Sequence, residues 1–256
     1  VTFCYLPFII IIHEGLFMSQ TITRTTATKI AVESYQSANP HHLADKNLII
    51  FDWDGTLMDS IGLIVESMHI AGEAHGFTTT DKAVKDIIGL SLMKGIELLY
   101  PKASAEKKLF IQQSYADYYI ANSQRTPFFA PIENMLQNLQ QQNRQLAVAT
   151  GKKRKGLDRV LDASDSHHYF IMTRCADEAG SKPDPQMLKD ILQYTEQQVS
   201  DAVFIGDSIY DIQMANSLGM TSIAVNYGTA SSDELAAQQP TYQVDTPQAL
   251  AELLCA

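Results

Sequence analysis

Five short runs of the chain are apolar almost without interruption: 48–51 (LIIF), 145–150 (QLAVAT), 169–173 (YFIMT), 202–206 (AVFIG) and 221–225 (TSIAV). A strand with one wet face alternates apolar and polar residues. A strand buried on both faces reads as a continuous apolar run, as in a parallel sheet covered by helices. The stretches between these runs repeat apolar residues at helical spacing. Residues 131–143 place Pro131 at a helix start and carry Ile132, Met135, Leu136 and Leu139 on one face. Residues 184–195 and 209–220 behave alike, and Gly219 suits the end of the latter. Such strand–helix–strand repetition predicts a doubly wound α/β fold built on a parallel sheet.

One interval breaks the rhythm. Residues 57–144 show no convincing strand but several amphipathic helical stretches, at 60–76, 81–89, 91–100 and 105–122. An insertion this long is not a crossover, so it predicts a small helical domain set into the sheet domain. Its exit is the Pro-rich return QRTPFFAP, 124–131. The expected division is a core of 46–60 and 129–256, with a helical cap of 61–128. Residues 1–45 form an N-terminal extension expected to be poorly ordered. Within it, the apolar stretch 3–12 is too short for a bilayer, which needs roughly 20 residues. No basic residue precedes it and no small-residue cleavage pattern follows, so it does not read as a signal peptide. Met18 opens a polar run and is the expected natural start.

Composition narrows the class. The chain has 256 residues, 45% of them hydrophobic, which is ordinary for a globular protein. A net charge of −10 and a pI of about 5.1 oppose a general nucleic-acid binder. The basic run KKRK (152–155) does not change that, because it directly follows a strand end. Cys4, Cys175 and Cys255 are odd in number and widely spaced, and they match no metal pattern. They read as free thiols of a cytoplasmic protein.

Ligands of open α/β sheets bind at the carboxyl ends of the strands. The first run ends in Asp52, Trp53, Asp54, Gly55, Thr56. Two carboxylates at the end of a buried strand are costly to desolvate unless the site is wet or a cation sits there. The second run ends in Thr150, Gly151, Lys152. The fourth ends in Gly206, Asp207, Ser208, with Asp211 close behind, and Lys182 precedes a helix in SKPDP. Asp52 and Asp207 suit a hard cation such as Mg²⁺, which prefers oxygen ligands. A hydroxyl and a backbone N–H at Thr150 and Gly151, with Lys182, suit the oxygens of a phosphate. Metal, phosphate cradle and carboxylate nucleophile together point to phosphoryl transfer.

The motifs DWDGTLMDS, VATGK, SKPDP and GDSIYD, in this order, resemble those of the haloacid dehalogenase-like phosphatases over residues 47 to about 230. Within that superfamily the chain is most similar to the phosphoglycolate-phosphatase-like members with a helical cap. The resemblance implies that Asp52 is the nucleophile, forming an aspartyl-phosphate, and that Asp54 is the general acid and then the base. It implies that Thr150 and Gly151 hold the phosphate and that Lys182 orients Asp52. It further implies Mg²⁺ held by Asp52, Asp207 and the Asp54 carbonyl, with Asp211 in support. The helical insertion falls where such a cap would close over the site. The loop GLSL (89–92) resembles a specificity loop, with Lys82, Lys85 and Lys94 near enough in sequence to meet an anionic leaving group.

The function expected is a Mg²⁺-dependent phosphatase of a small phosphorylated metabolite, acting as a monomer or homodimer, with no nucleic-acid or membrane partner. The alternatives are a sugar phosphomutase and a catalytically idle binding protein. Several residues read as structural. Trp53 points away from the site by alternation. Asp59 and Ser60 suit a helix N-cap. Tyr115, Tyr118 and Tyr119 suit lid packing. His41, His42, His167 and His168 suit exposed loops.

Overall fold

The computed structural model describes residues 41–255. The expectations for residues 1–40, including the apolar stretch, the Met18 start and Cys4, lie outside the described residues. A short helix α1 (His41–Ala44) leads into β1 (Leu48–Phe51). The other strands are β2 (Gln145–Thr150), β3 (Met172–Cys175), β4 (Ala202–Gly206), β5 (Thr221–Val225) and β6 (Tyr242–Val244). All pair in parallel, in the order β3-β2-β1-β4-β5-β6.

The continuous apolar runs are explained by two buried faces. Ile49, Phe51, Val148, Val203 and Ile205 face one layer, formed by α6 (Ile132–Gln141), α7 (Arg154–Ala163) and α11 (Pro247–Cys255). Leu48, Ile50, Ala147, Ala149 and Phe204 face the other, formed by α8 (Gln186–Thr195) and α9 (Ile209–Ser217). Successive β1 residues therefore serve opposite layers, and all four are buried. Each such large side chain contributes about 1.5–3 kcal/mol on burial. A short helix α10 (Ser232–Ala236) lies between β5 and β6.

The topology places the site. From β1 the chain steps outward to β2 and β3, and later steps from the other side of β1 to β4, β5 and β6. The strand order reverses at β1, which opens a crevice beyond its carboxyl end. Phe51 is in register with Val148 on one side and Ile205 on the other. The Asp52 N–H donates to the Ile205 carbonyl at 2.8 Å. The residues just past β1 and β4 are thereby brought side by side.

Two details depart from the sequence pattern. The third strand lies at 172–175 rather than 169–173, because Tyr169 turns into a 3₁₀ segment and buries its ring there. A continuous apolar run does not mark where pairing begins. β6 carries no apolar run, being a three-residue edge strand with only Tyr242 buried, and was not expected. His167 and His168 are exposed in the 3₁₀ turn.

The inserted segment is helical throughout: α2 (Ile61–Ala74), α3 (Asp81–Lys85), α4 (Leu92–Leu99) and α5 (Ala105–Asn122). These helices bury Val65, Met68, Val84, Ile96, Tyr100 and Ile111 against one another. Thr80 and Ser104 cap α3 and α5, each accepting a backbone N–H at 3.2 Å. The two connections to the sheet run together. Asp59 N–H donates to the Pro127 carbonyl at 2.9 Å and Phe129 N–H to the Leu57 carbonyl at 3.0 Å. No helix among the described residues is long and apolar enough to cross a membrane.

Candidate active site

Asp52, Lys182, Asp207 and Asp211 meet beyond the ends of β1 and β4, all buried. Asp52 sits one residue past β1, and Asp207 one residue past β4. Asp211 lies in the first turn of α9, where its carboxylate accepts the Ser208 N–H at 3.0 Å and the Ser208 hydroxyl at 2.7 Å. This capping box fixes the helix start and the carboxylate together. Lys182 reaches in from the loop before α8. Its ammonium lies 2.6 Å from Asp52 Oδ1 and 2.7 Å from Asp211 Oδ1. It also stands over the Phe204 ring, 5.5 Å from the centroid.

Asp207 is gripped from the loop after β5. Its Oδ2 accepts the Thr229 N–H and the Thr229 hydroxyl, each at 2.8 Å. The backbone closes in on the same carboxylate. A Cβ on Gly55, where φ is +78°, or on Gly228 would collide with Asp207. Gly55 therefore answers both to its left-handed conformation and to this close approach.

The charges explain the protonation behaviour. Burial pushes Asp52 well above the usual carboxylate range; Lys182 opposes this, while Asp211 and Asp207 add to it. Burial and the Asp211 charge push Asp207 up to about 7, against the hydrogen bonds from Thr229. Burial works against the Lys182 charge, but Asp211 and Asp52 outweigh it and raise its pKa.

The three aspartates each offer a carboxylate oxygen within 4.8 Å of the others. With all four groups ionised, three carboxylates face one ammonium, an excess of two negative charges in a buried place. That excess and an all-oxygen donor set fit a divalent hard cation.

Asp54 stands apart from this cluster. Its Oδ1 accepts the Ser60 hydroxyl at 2.6 Å and lies 2.9 Å from the Lys152 ammonium. Lys152 also donates to the Tyr119 hydroxyl at 3.3 Å, so a residue of α5 is linked to Asp54 through it. Burial works against the Lys152 charge, yet Asp54 and Tyr119 raise its pKa. Thr150, at the end of β2, accepts the Lys152 N–H at 3.2 Å. Gly151 lies under the loop of residues 89 and 90, where a Cβ would sit 2.5 Å from the Leu90 carbonyl oxygen.

Asp52, Asp54, Thr150, Gly151 and Lys152 line one cavity of about 330 Å³, closed on its other side by α2, α4, α5 and the loop at 87–90. Every candidate site residue therefore lies either on this cavity or in the carboxylate cluster beside it. Three sequence expectations need correction. Ser60 precedes α2 but makes no side-chain cap; its hydroxyl goes to Asp54 because that acceptor stands opposite. Lys82, Lys85 and Lys94 do not line the cavity. Lys82 instead pairs with Asp86 at 2.7 Å and Glu234 at 3.2 Å, and the cavity's cations come from 152–159. Tyr115 and Tyr119 pack together on α5 with ring centroids 5.9 Å apart, as the packing reading expects, but both also line the cavity. Trp53 is buried against Phe128 and Phe170, away from the carboxylates. Thr229 and Lys152 were missed as partners. The position of Lys152 directly after Thr150 and Gly151 was the available signal.

The profile of the haloacid dehalogenase-like hydrolases matches residues 49–225. A protein of Vibrio vulnificus named phosphoglycolate phosphatase is 28% identical over 218 residues, covering 81% of this chain and 94% of that protein. One of Dickeya dadantii, named "Probable phosphatase IndB", is 31% identical over 207 residues, covering 78% and 90%. The crystal structure of a hydrolase from Pseudomonas syringae superposes with a TM-score of 0.76 at 21% identity, over 82% of this chain and 98% of the other. That likeness is one of fold.

Proposed function

The chain belongs to the haloacid dehalogenase-like hydrolase family, and from that premise we propose that it is a Mg²⁺-dependent phosphatase of a small phosphorylated metabolite. The reading rests on one arrangement: Asp52, tied through one oxygen to buried Lys182, lines a cavity that Asp54 also lines. Names borne by relatives, phosphoglycolate phosphatase and phosphatase, support it.

In this reading the Asp52 carboxylate attacks phosphorus, forming an aspartyl-phosphate as the ester P–O bond breaks. Asp54 gives its proton to the leaving alcohol oxygen. It then takes a proton from a water that attacks the same phosphorus, which restores Asp52 and releases phosphate. Ser60 and Lys152 hold Asp54 in place for both steps. Thr150 and the Gly151 N–H receive the phosphate oxygens. Lys182 keeps Asp52 oriented and offsets the charge of Asp211. Mg²⁺ would be held by Asp52, Asp207 and the Asp54 main-chain carbonyl, with Asp211 in support. Such an ion, when bound, offsets the phosphoryl charge that otherwise repels a carboxylate. The helical segment excludes water from the cavity it covers.

The test is phosphate release from a panel of phosphate monoesters and pyrophosphate, with Mg²⁺ and after chelation. Release lost on chelation and restored by Mg²⁺ is expected. No release from any compound, with isomerisation of a sugar phosphate primed by a bisphosphate, would replace the phosphatase with a phosphomutase.

A further inference from the structure

The cavity wall opposite the carboxylates indicates the kind of alcohol that leaves, and this inference rests on the phosphatase reading. At about 330 Å³ the space falls within the range that encloses drug-sized ligands. The wall supplied by the helical segment includes Ile64, Met68, Ile88, Leu92, Tyr115 and Tyr119, and none of its lining side chains carries a charge. Of its polar groups, the Gln113 amide gives its N–H to Asp117 Oδ1 at 2.8 Å and the Tyr119 hydroxyl accepts from Lys152 at 3.3 Å. Lys82, Lys85 and Lys94, the cations of the segment nearest in sequence, are absent from it.

The cavity's positive charge stands on the sheet side instead. Lys152 is committed to Asp54 at 2.9 Å. Lys153 and Lys155 are exposed at the start of α7, where their charges stay in water, and Arg159, half-buried one turn further along α7, is the remaining cation of the lining. A two-carbon hydroxy acid bound here turns its carboxylate either toward an apolar wall, which costs desolvation, or toward the cations at 153–159, which leaves the wall uncovered. A ring covers the wall and returns the free energy of its burial.

We propose that the substrate is a phosphate monoester whose alcohol carries a ring or a comparably bulky apolar body, rather than a small hydroxy acid. The wall buries that body while the phosphate lies over Asp52.

The experiment compares kcat/KM for benzyl phosphate and phosphoglycolate, both esters of alkyl alcohols, with Mg²⁺ present. Binding of benzylphosphonate and phosphonoacetate is measured alongside by calorimetry. Benzyl phosphate is expected to be favoured at least tenfold, and benzylphosphonate to bind at least tenfold more tightly. In Ile120→Lys, a change on the wall at a residue 41% exposed, the benzyl-to-glycolate ratio is expected to fall at least threefold. A ratio below ten in the unaltered protein, with either ester hydrolysed, overturns the inference and leaves the phosphatase reading intact. Hydrolysis of neither ester leaves the phosphatase reading to the wider panel, and the phosphonate pair still judges the wall. Equal binding of the two phosphonates rejects it.

Discussion

Replacing Lys182 by methionine tests the charge balance of the site directly. The lysine is fully buried, with its ammonium 2.6 Å from Asp52 and 2.7 Å from Asp211. At an effective dielectric of about 20, each contact is worth roughly 6 kcal/mol before desolvation. Burying the ammonium costs several kcal/mol against this, so the net loss expected on removing it is about 3–5 kcal/mol. Methionine keeps most of the volume, so packing contributes little. The assay is urea unfolding followed by circular dichroism, in chelator, at several pH values. With the ammonium gone, the facing carboxylates bind protons more tightly in the folded state than in the unfolded one. The folded variant then holds more protons than wild type, so its deficit widens as pH rises and narrows as pH falls toward 5. Adding Asp211→Asn to the lysine variant removes one of the stranded charges and recovers part of the loss, which a double-mutant cycle measures. A loss below about 1 kcal/mol with no pH dependence would refute the claim that Lys182 balances the buried carboxylates.

The other predictions concern chemistry and reactivity. Asp52→Asn is expected to keep the wild-type circular dichroism spectrum and to lose turnover by several orders of magnitude; residual activity above about one per cent would count against a nucleophile at that position. Asp54→Asn is expected to slow alkyl phosphates far more than aryl phosphates, whose leaving groups need no proton; equal losses on both would contradict a general acid there. Cys175 is buried, and its thiol is pushed up to about 12, by burial first. It should stay unlabelled by iodoacetamide in the folded protein from pH 7 to 9 and label only in denaturant, as read by peptide mass spectrometry; rapid labelling of Cys175 in the native state would show that its strand end opens.

Much of this protein was legible in the order of its residues. β1, β2, β4 and β5 lie at the apolar runs that predicted them, because strands buried on both faces favour apolar side chains at nearly every position. α5 spans the same residues as its helical pattern. That Asp52, Thr150, Lys182, Asp207 and Asp211 would gather was legible because each sits at or near a strand end or the start of a helix, positions that a parallel α/β sheet brings to one edge. Tertiary structure decided what stands across from what. β6 carries no pattern because an edge strand needs only one buried side chain. The Ser60 hydroxyl found Asp54 rather than its own helix, since a carboxylate within hydrogen-bond distance outcompetes an orphan amide. Lys82 lies five residues before the loop that borders the cavity, yet it points to Glu234. Lys152 directly follows Thr150 and Gly151 and faces Tyr119 from the helical segment. Spacing along a chain sets which residues share an element, whereas pairing across elements depends on how the helical segment packs over the sheet. The charge-free wall of the cavity is a property of that packing alone.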